Sequence, residues 1–367
     1  MQSRVIYLKN YNFGDDILSS LYVVAPNKNK TNTLKKMIAS FTEEFDTLYY
    51  IDNFSEAINL THKKILFALE LGNYSFDLEM LTLLSSLNMN NSSIMSGSTA
   101  ALLVHSNSQL YTKRCAQGLV FTLNLLGCNF IGHPLVECTE DFINFNTWKK
   151  VFTELSLEEI CYNQCKKLGK RLSEYEYIKI TNPKITVLYS STHMFSNTLD
   201  YWHMVKENLS HCEISEVHIE NGKIMDCKGC SYKLCVHYGK QNSCFYGGFM
   251  VENVLPAIER ADSVVWLCPN FNDAIPANLT ATINRLTVLY NKMNFYNKSM
   301  FGIVVSGNSG SDSVGKQLIG ALNINKGFRL PPRAMLYETA NDPKSIYSVQ
   351  YINEKAKSFA ENMINNI

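Results

Sequence analysis

Short aliphatic and β-branched runs alternate with stretches of helical spacing along the whole chain. In the C-terminal half the runs are Ile185–Tyr189, Val217–Ile219, Val264–Cys268 and Phe301–Ser306. They are continuously apolar rather than alternating, the pattern of strands covered on both faces. This predicts a parallel sheet between two layers of helices. Ligands of such sheets sit beyond the carboxyl ends of the strands, where the strand order reverses. The loops that matter are therefore 190–198, 269–276 and 306–312, all polar or Gly-rich.

The first of these loops organises the reading. The run ending at Tyr189 leads into Ser190, Ser191, Thr192, His193, Met194, Phe195, Ser196, Asn197 and Thr198. Helical spacing then starts at Leu199, with Trp202, Met204, Val205 and Leu209. The first N–H groups of a helix have no intrahelical acceptor and its dipole is positive there, so a hydroxyl-rich turn at that point suits a phosphate. The same residue types also serve as plain N-caps.

The pattern occurs twice. Laid without a gap, Val23, Val24 and Asn32-Thr33-Leu34 fall on Leu188, Tyr189 and Asn197-Thr198-Leu199. Lys64–Tyr74 falls on Ser263–Asp273, and Ala101–Ser108 on Gly302–Ser309. Each half continues with a helix, then a phenylalanine followed closely by proline (Phe130 and Pro134; Phe328 and Pro332). Each ends in a Lys-rich helical stretch, near 156–172 and 349–366. Matches in one order over the full length argue for an internal duplication of a domain. The junction is expected near 173–183, giving domains 1–175 and 176–367. The halves are unequal. Glu70 stands where the second half has Pro269, and the segment holding Cys227 to Cys244 has no counterpart. The first half is thus expected to be a degenerate copy kept for packing.

Composition narrows the picture further. At 367 residues, with 46% apolar and 18% charged content, the chain reads as globular, as two domains or one large α/β unit. A net charge of +1 gives no electrostatic case for nucleic acid or a membrane surface. No apolar run reaches spanning length, and the N-terminus reads as a strand rather than a signal peptide, so a cytoplasmic protein is expected. Eleven cysteines then read as thiols or metal ligands in a reducing compartment. Cys227, Cys230, Cys235 and Cys244 follow C-x2-C-x4-C-x8-C. Such a group could hold zinc or an iron–sulfur cluster, or remain free or redox thiols in a substrate pocket lined by His237 and Tyr238.

Other signals are set aside. Gly310 to Lys316 fits G-x4-G-K, but Gln317 replaces the Ser or Thr that binds magnesium, so Lys316 reads as a solvated residue at a helix start. Cys161 and Cys165 read as partly buried bystanders on one helix face, and His105 and His133 as structural or surface groups.

With the three loops in view, the second half resembles the flavodoxin-like NAD(P)H-dependent FMN reductases, and among them the iron–sulfur flavoproteins. The family's first loop reads roughly Gly-Ser-Pro-Arg-x-x-Ser-Asn-Thr, and Ser196-Asn197-Thr198 matches its end. Its second loop, Pro-x-Tyr-x, is Pro269-Asn270-Phe271-Asn272 here, followed by a helix ending at Arg285. The Gly-rich third loop is Ser306-Gly307-Asn308-Ser309-Gly310. The resemblance covers about residues 184–345.

The resemblance implies an α/β protein of two tandem flavodoxin-like doubly wound parallel sheets, three layers each. It implies FMN held by Ser190, Ser191, Thr192, His193, Ser196, Asn197, Thr198, Pro269 to Asp273 and Ser306 to Gly310. NAD(P)H or a reduced, ferredoxin-like carrier would supply electrons to a small acceptor such as a quinone, a nitro compound or a flavin. The family places FMN at a dimer interface, so a homodimer, or a pseudo-dimer within the chain, is expected. The alternatives are an iron–sulfur flavoprotein with its cluster on Cys227, Cys230, Cys235 and Cys244, and a non-catalytic flavin or redox sensor.

Overall fold

Parallel strands with buried flanks build a separate sheet in each half of this computed structural model. It describes residues 4–7, 19–53, 60–72, 76–87, 93–191, 195–220, 222–241 and 243–367. The chain divides into Met1–Tyr177 and Ile178–Ile367. The first unit contains β1 (Arg4–Tyr7), β2 (Ser20–Val24), β3 (Thr47–Ile51), β4 (Lys64–Leu71), β5 (Thr99–Ser106) and β6 (Asn129–Cys138). Its helices are α1 (Asn32–Thr42), α2 (Leu78–Ser85), α3 (Thr112–Leu125) and α4 (Leu157–Ser173). The strands of the second unit are β7 (Lys184–Tyr189), β8 (Glu213–His218), β9 (Ser263–Pro269), β10 (Ser299–Ser306) and β11 (Met335–Thr339). Its helices are α5 (Asn197–Lys206), α6 (Tyr232–Gly239), α7 (Leu255–Arg260), α8 (Ala277–Arg285), α9 (Thr287–Tyr290), α10 (Ser311–Leu318) and α11 (Ile352–Asn366).

Among the described residues the named strands all pair in parallel, in the orders β1-β3-β2-β4-β5-β6 and β11-β10-β9-β7-β8. With β1 set aside as an added edge, both sheets follow the flavodoxin order 2-1-3-4-5. The chain is therefore two tandem doubly wound sheets: the continuously apolar runs predict the parallel pairing, and the resemblance implies the doubly wound order. β5 and β10 are buried from end to end. Among the described residues no helix is long and apolar enough to cross a membrane.

The ladders correct the segment-by-segment overlay of the two halves. Lys64 pairs with Thr99 and Ser263 with Ser299, so keeping Lys64 on Ser263 puts Ala101 on Phe301, not on Gly302. The faces agree with this shift. Ala101 and Leu103 pack in the core with α1 and α4, and Phe301 meets Phe359 of α11 edge-on. A Cβ at Gly302 would instead reach Met335 and Leu318. Side chains alternate with period two, so a slip of one residue reverses every face. Glu70 still falls on Pro269, and His105 falls on Val305. In the first strands, Thr47 N donates to Ser19 O and Glu213 N to Pro183 O, which puts Val23 on Val187. The next loop of the second unit absorbs the extra residue.

Local sequence explains the helices that carry the sites. Thr31 and Ser196 cap α1 and α5, each hydroxyl accepting from the leucine three residues on, Leu34 or Leu199, at 3.2 Å. Ser156 and Glu159 form a capping box at the start of α4. α1 buries Leu34, Met37, Ile38 and Phe41 against Ile160, Leu168 and Leu172 of α4. Each such side chain stabilises the unit by about 1.5–3 kcal/mol. The two helices approach so closely that a Cβ at Gly169 would overlap the Phe41 carbonyl. Cys161 and Cys165 are part of this core.

Candidate functional site

In the second unit β7, β9 and β10 lie side by side, so the three loops that follow them share one edge of the sheet. β7 delivers Ser190 and Ser191. Ser190 is buried, and its Oγ has no hydrogen-bond partner among the described residues. Thr192 and His193 lie outside the described residues. Ser196 caps α5 in an extended conformation, and the first backbone bond of the helix runs from Asp200 N to Ser196 O. The N–H groups of Asn197 and Thr198 therefore have no intrahelical acceptor. Tyr189, Ser191, Ser196, Thr198, Leu199, Leu267 and Pro269 line a shallow cleft at this point.

Asn197 serves another purpose. Its amide donates to Ala340 O at 3.0 Å and Asp342 O at 2.9 Å, and its Oδ1 accepts from Ile346 N. The side chain fastens the start of α5 to the segment after β11, so Asn197 positions the loop.

The second loop is held by its neighbours. Asn270 N donates to Val305 O, and Asn272 and Asp273 take left-handed φ values of 54° and 57°. Asn270 Nδ2 donates to Ser306 Oγ at 2.9 Å and to Asp273 Oδ1 at 3.1 Å. Its Oδ1 is buried with no partner among the described residues. Gln317, the residue that spoils the nucleotide-loop motif, donates from Nε2 to Asp273 O at 2.7 Å. Phe271 stands 48% exposed at the rim.

The third loop leaves β10 at Ser306, whose Oγ lies 2.6 Å from Ser311 Oγ. Asn308 O accepts from Thr339 Oγ1 at 3.1 Å, and Ser309 O lies 3.4 Å from Asn270 Nδ2. A Cβ at Gly307 would come to 2.7 Å from Asn341 Oδ1. Gly310 has φ 96°, and a Cβ there would overlap the Asp273 carboxylate. Only glycine combines that backbone with that approach. Lys316 pairs with Asp312 at 2.7 Å one turn along α10, and this hydrogen bond holds the Asp312 carboxyl below its ordinary range.

Two residues that the sequence reading passed over complete the edge. The rings of Tyr189 and His218 stack with centroids 4.6 Å apart, and His218 Nε2 lies 2.8 Å from Ser191 O. That contact pins the first loop, with Nε2 donating to the carbonyl. Burial, reinforced by Glu216 and Glu220, pushes the Tyr189 phenol up. The available signal was the position of His218 at the end of the strand that pairs with β7. Lys344 also brings an ammonium over the Phe195 ring, 5.2 Å from its centroid.

The cysteine-rich segment lies apart from these loops in the hydrogen-bond pattern. Asn284 donates to Asp226 Oδ1 at 2.8 Å, and the buried Arg285 guanidinium donates to Gly247 O at 3.0 Å, so α8 holds both ends of the segment. Burial pushes the Cys235 thiol up, with Cys230, Cys227 and Cys244 adding to it. Among the described residues no three cysteine, histidine or carboxylate groups converge to hold a metal ion. Cys235 sits inside α6, while Cys227 and Cys230 precede the helix and Cys244 follows it. All eleven cysteines are free thiols.

Residues 183–342 match the family model described as NADPH-dependent FMN reductase. No curated protein matches the chain. Among solved structures, the chain is similar to RosB with its bound intermediate 8-demethyl-8-formylriboflavin-5'-phosphate (14% identity, 50% of this chain and 78% of that chain, TM-score 0.38). It is also similar to the NAD(P)H:quinone oxidoreductase of Methanothermobacter marburgensis (13% identity, 50% and 97%, TM-score 0.38). A third is the flavodoxin, WrbA-like protein of Agrobacterium tumefaciens (13% identity, 50% and 96%, TM-score 0.31).

Proposed function

We propose that the chain is an FMN-dependent oxidoreductase whose second unit binds the flavin at the shared edge of β7, β9 and β10. The observation that carries this reading is the buried Ser190 hydroxyl, without a partner among the described residues, at the point where the chain leaves β7 for α5. A buried hydroxyl without a partner costs about 1–3 kcal/mol, so it marks a place built for a polar group that arrives later. The match of residues 183–342 to the NADPH-dependent FMN reductase model supports the choice of that group.

The residues present fit a flavin phosphate and ring. Ser190, Ser191 and Ser196 offer hydroxyls, and Asn197 and Thr198 offer N–H groups, to the phosphate. The partnerless Asn270 Oδ1 is an acceptor for a ring N–H, and the backbone of 306–310 faces the same edge. When bound, FMN supplies hydride and single-electron chemistry, and the chain supplies binding, orientation and local electrostatics. NAD(P)H, or a reduced carrier protein, is the proposed donor. A quinone, a nitro compound or a free flavin is the proposed acceptor.

The test is an absorption spectrum of the purified chain after incubation with FMN and desalting, followed by anaerobic addition of NADPH or NADH. Retained oxidised flavin that bleaches with either nucleotide supports the proposal. Retained flavin that bleaches only with a reduced carrier protein changes the donor. A chain that retains no flavin overturns the reading.

A further inference from the structure

We propose that the Glu70 carboxylate is the resident anion at the start of α1, so that the first unit takes no flavin phosphate and the chain binds one flavin. The proposal extends the flavin reading of the second unit, with which the first unit is compared.

In the second unit Pro269 ends β9 beside the start of α5 and brings no charge. The ladders place Glu70 at the same point of the first sheet, with its partner His105 where the second unit has Val305. The Glu70 side chain reaches the start of α1. Its Oε2 accepts from Thr31 N at 2.9 Å and from Thr31 Oγ1 at 2.8 Å. Its Oε1 is hydrogen-bonded to His105 Nδ1, and Glu70 as a residue is only 8% exposed. A carboxylate thus occupies the N-terminal position that favours a phosphate, and it uses the same kinds of donor. Neighbouring contacts fix it there. Asp77 Oδ2 accepts from Glu70 N at 2.9 Å, Asn27 Nδ2 approaches Glu70 O, and Lys30 Nζ donates to Ala25 O at 2.8 Å within the same loop.

Thr31, His105 and Glu70 do not form a nucleophilic relay. Thr31 Oγ1 lies 3.2 Å from His105 Nδ1, the nitrogen that already bonds Glu70, whereas a relay needs the acid and the nucleophile on opposite ring nitrogens. The arrangement is a filled anion site.

Equilibrium dialysis of the full chain with FMN is the first part of the test, with hydrogen exchange locating the bound flavin. One flavin per chain, protecting residues 190–198, is expected. Two flavins, or protection of residues 25–34 by FMN, overturns the proposal without any variant. The second part uses Glu70→Ala, loaded with FMN, and inorganic phosphate against chloride at equal ionic strength. Phosphate is expected to slow exchange at the start of α1 by roughly tenfold in the variant and to leave the wild type unchanged. A folded variant whose α1 exchange ignores phosphate overturns the proposal. Glu70→Ser replaces Glu70→Ala if the alanine variant does not fold. A wild type that binds no flavin sinks the flavin reading and the count of one flavin per chain, while the phosphate response at α1 still decides whether Glu70 is the resident anion there.

Discussion

Asn270 Nδ2 donates to Ser306 Oγ at 2.9 Å, a bond that joins the loop after β9 to the loop after β10. The same amide reaches Asp273 Oδ1, so one side chain sets both the turn and the spacing between loops. Asn270→Ala removes these bonds and leaves their partners to water. The expected result is an FMN affinity lowered about tenfold or more, with a loss of stability near 1 kcal/mol. Flavin fluorescence titration beside urea unfolding checks both. An unchanged affinity would mean that the loops need no bridge.

Ser190→Ala separates binding from folding. The wild-type hydroxyl is buried without a partner among the described residues, so its removal costs none of their hydrogen bonds. Stability without FMN is expected to hold or rise slightly, while FMN affinity falls by roughly tenfold or more, the value of a hydrogen bond to a charged group. Equal affinity in variant and wild type would remove Ser190 from the phosphate site.

Gly310→Ala tests the third loop. The residue has φ 96° and no room for a Cβ beside Asp273. Strain of about 1–3 kcal/mol is expected, relieved by movement of the 306–310 backbone. Loss of FMN binding should exceed the loss in Tm. The reverse order, with stability falling and affinity kept, would place the flavin elsewhere.

Glu70 predicts the acid limb of stability. Burial alone would raise its carboxyl, but the hydrogen bonds from His105 and from Thr31 outweigh burial and hold it below the ordinary value of 4.5. A group depressed in the folded state binds protons more readily when the chain unfolds. Its stabilisation is therefore complete above about pH 5 and is lost as the pH falls through the ordinary value and then the folded one. Glu70→Gln should flatten the decline of stability in that acid window. Urea unfolding at a series of pH values measures it, and parallel acid limbs would contradict the assignment.

Thiol accessibility should divide the cysteines. Cys128, Cys138, Cys161, Cys165 and Cys268 are buried, and burial pushes the Cys128 and Cys268 thiols far above their ordinary range. A disulfide reagent is expected to titrate Cys115, Cys212, Cys227, Cys230, Cys235 and Cys244 in the native chain, and the five buried thiols only after unfolding. Protection of Cys227, Cys230, Cys235 and Cys244 together, with iron or zinc on the same sample, would instead show ligation.

By itself the chain determined the parallel sheets, because strands buried on both faces must be apolar at every position. It also determined the order of the loops and the hydroxyl-rich turn that holds the cap Ser196, since a cap depends only on the next few residues. What it left open was decided across strands. The correspondence of β5 with β10 turned on a one-residue register that only the ladder fixes. Gln317, Asn197 and His218 act on loops distant in sequence, through hydrogen bonds that no local pattern records. His105 looked like a lone histidine, and Glu70 a misplaced carboxylate. Parallel pairing of β4 with β5 sets them opposite each other, and the start of α1 supplies the donors that keep the charge buried. Side-chain type is written in the sequence, but the partner that gives it a role is chosen by which strand ends the fold brings together.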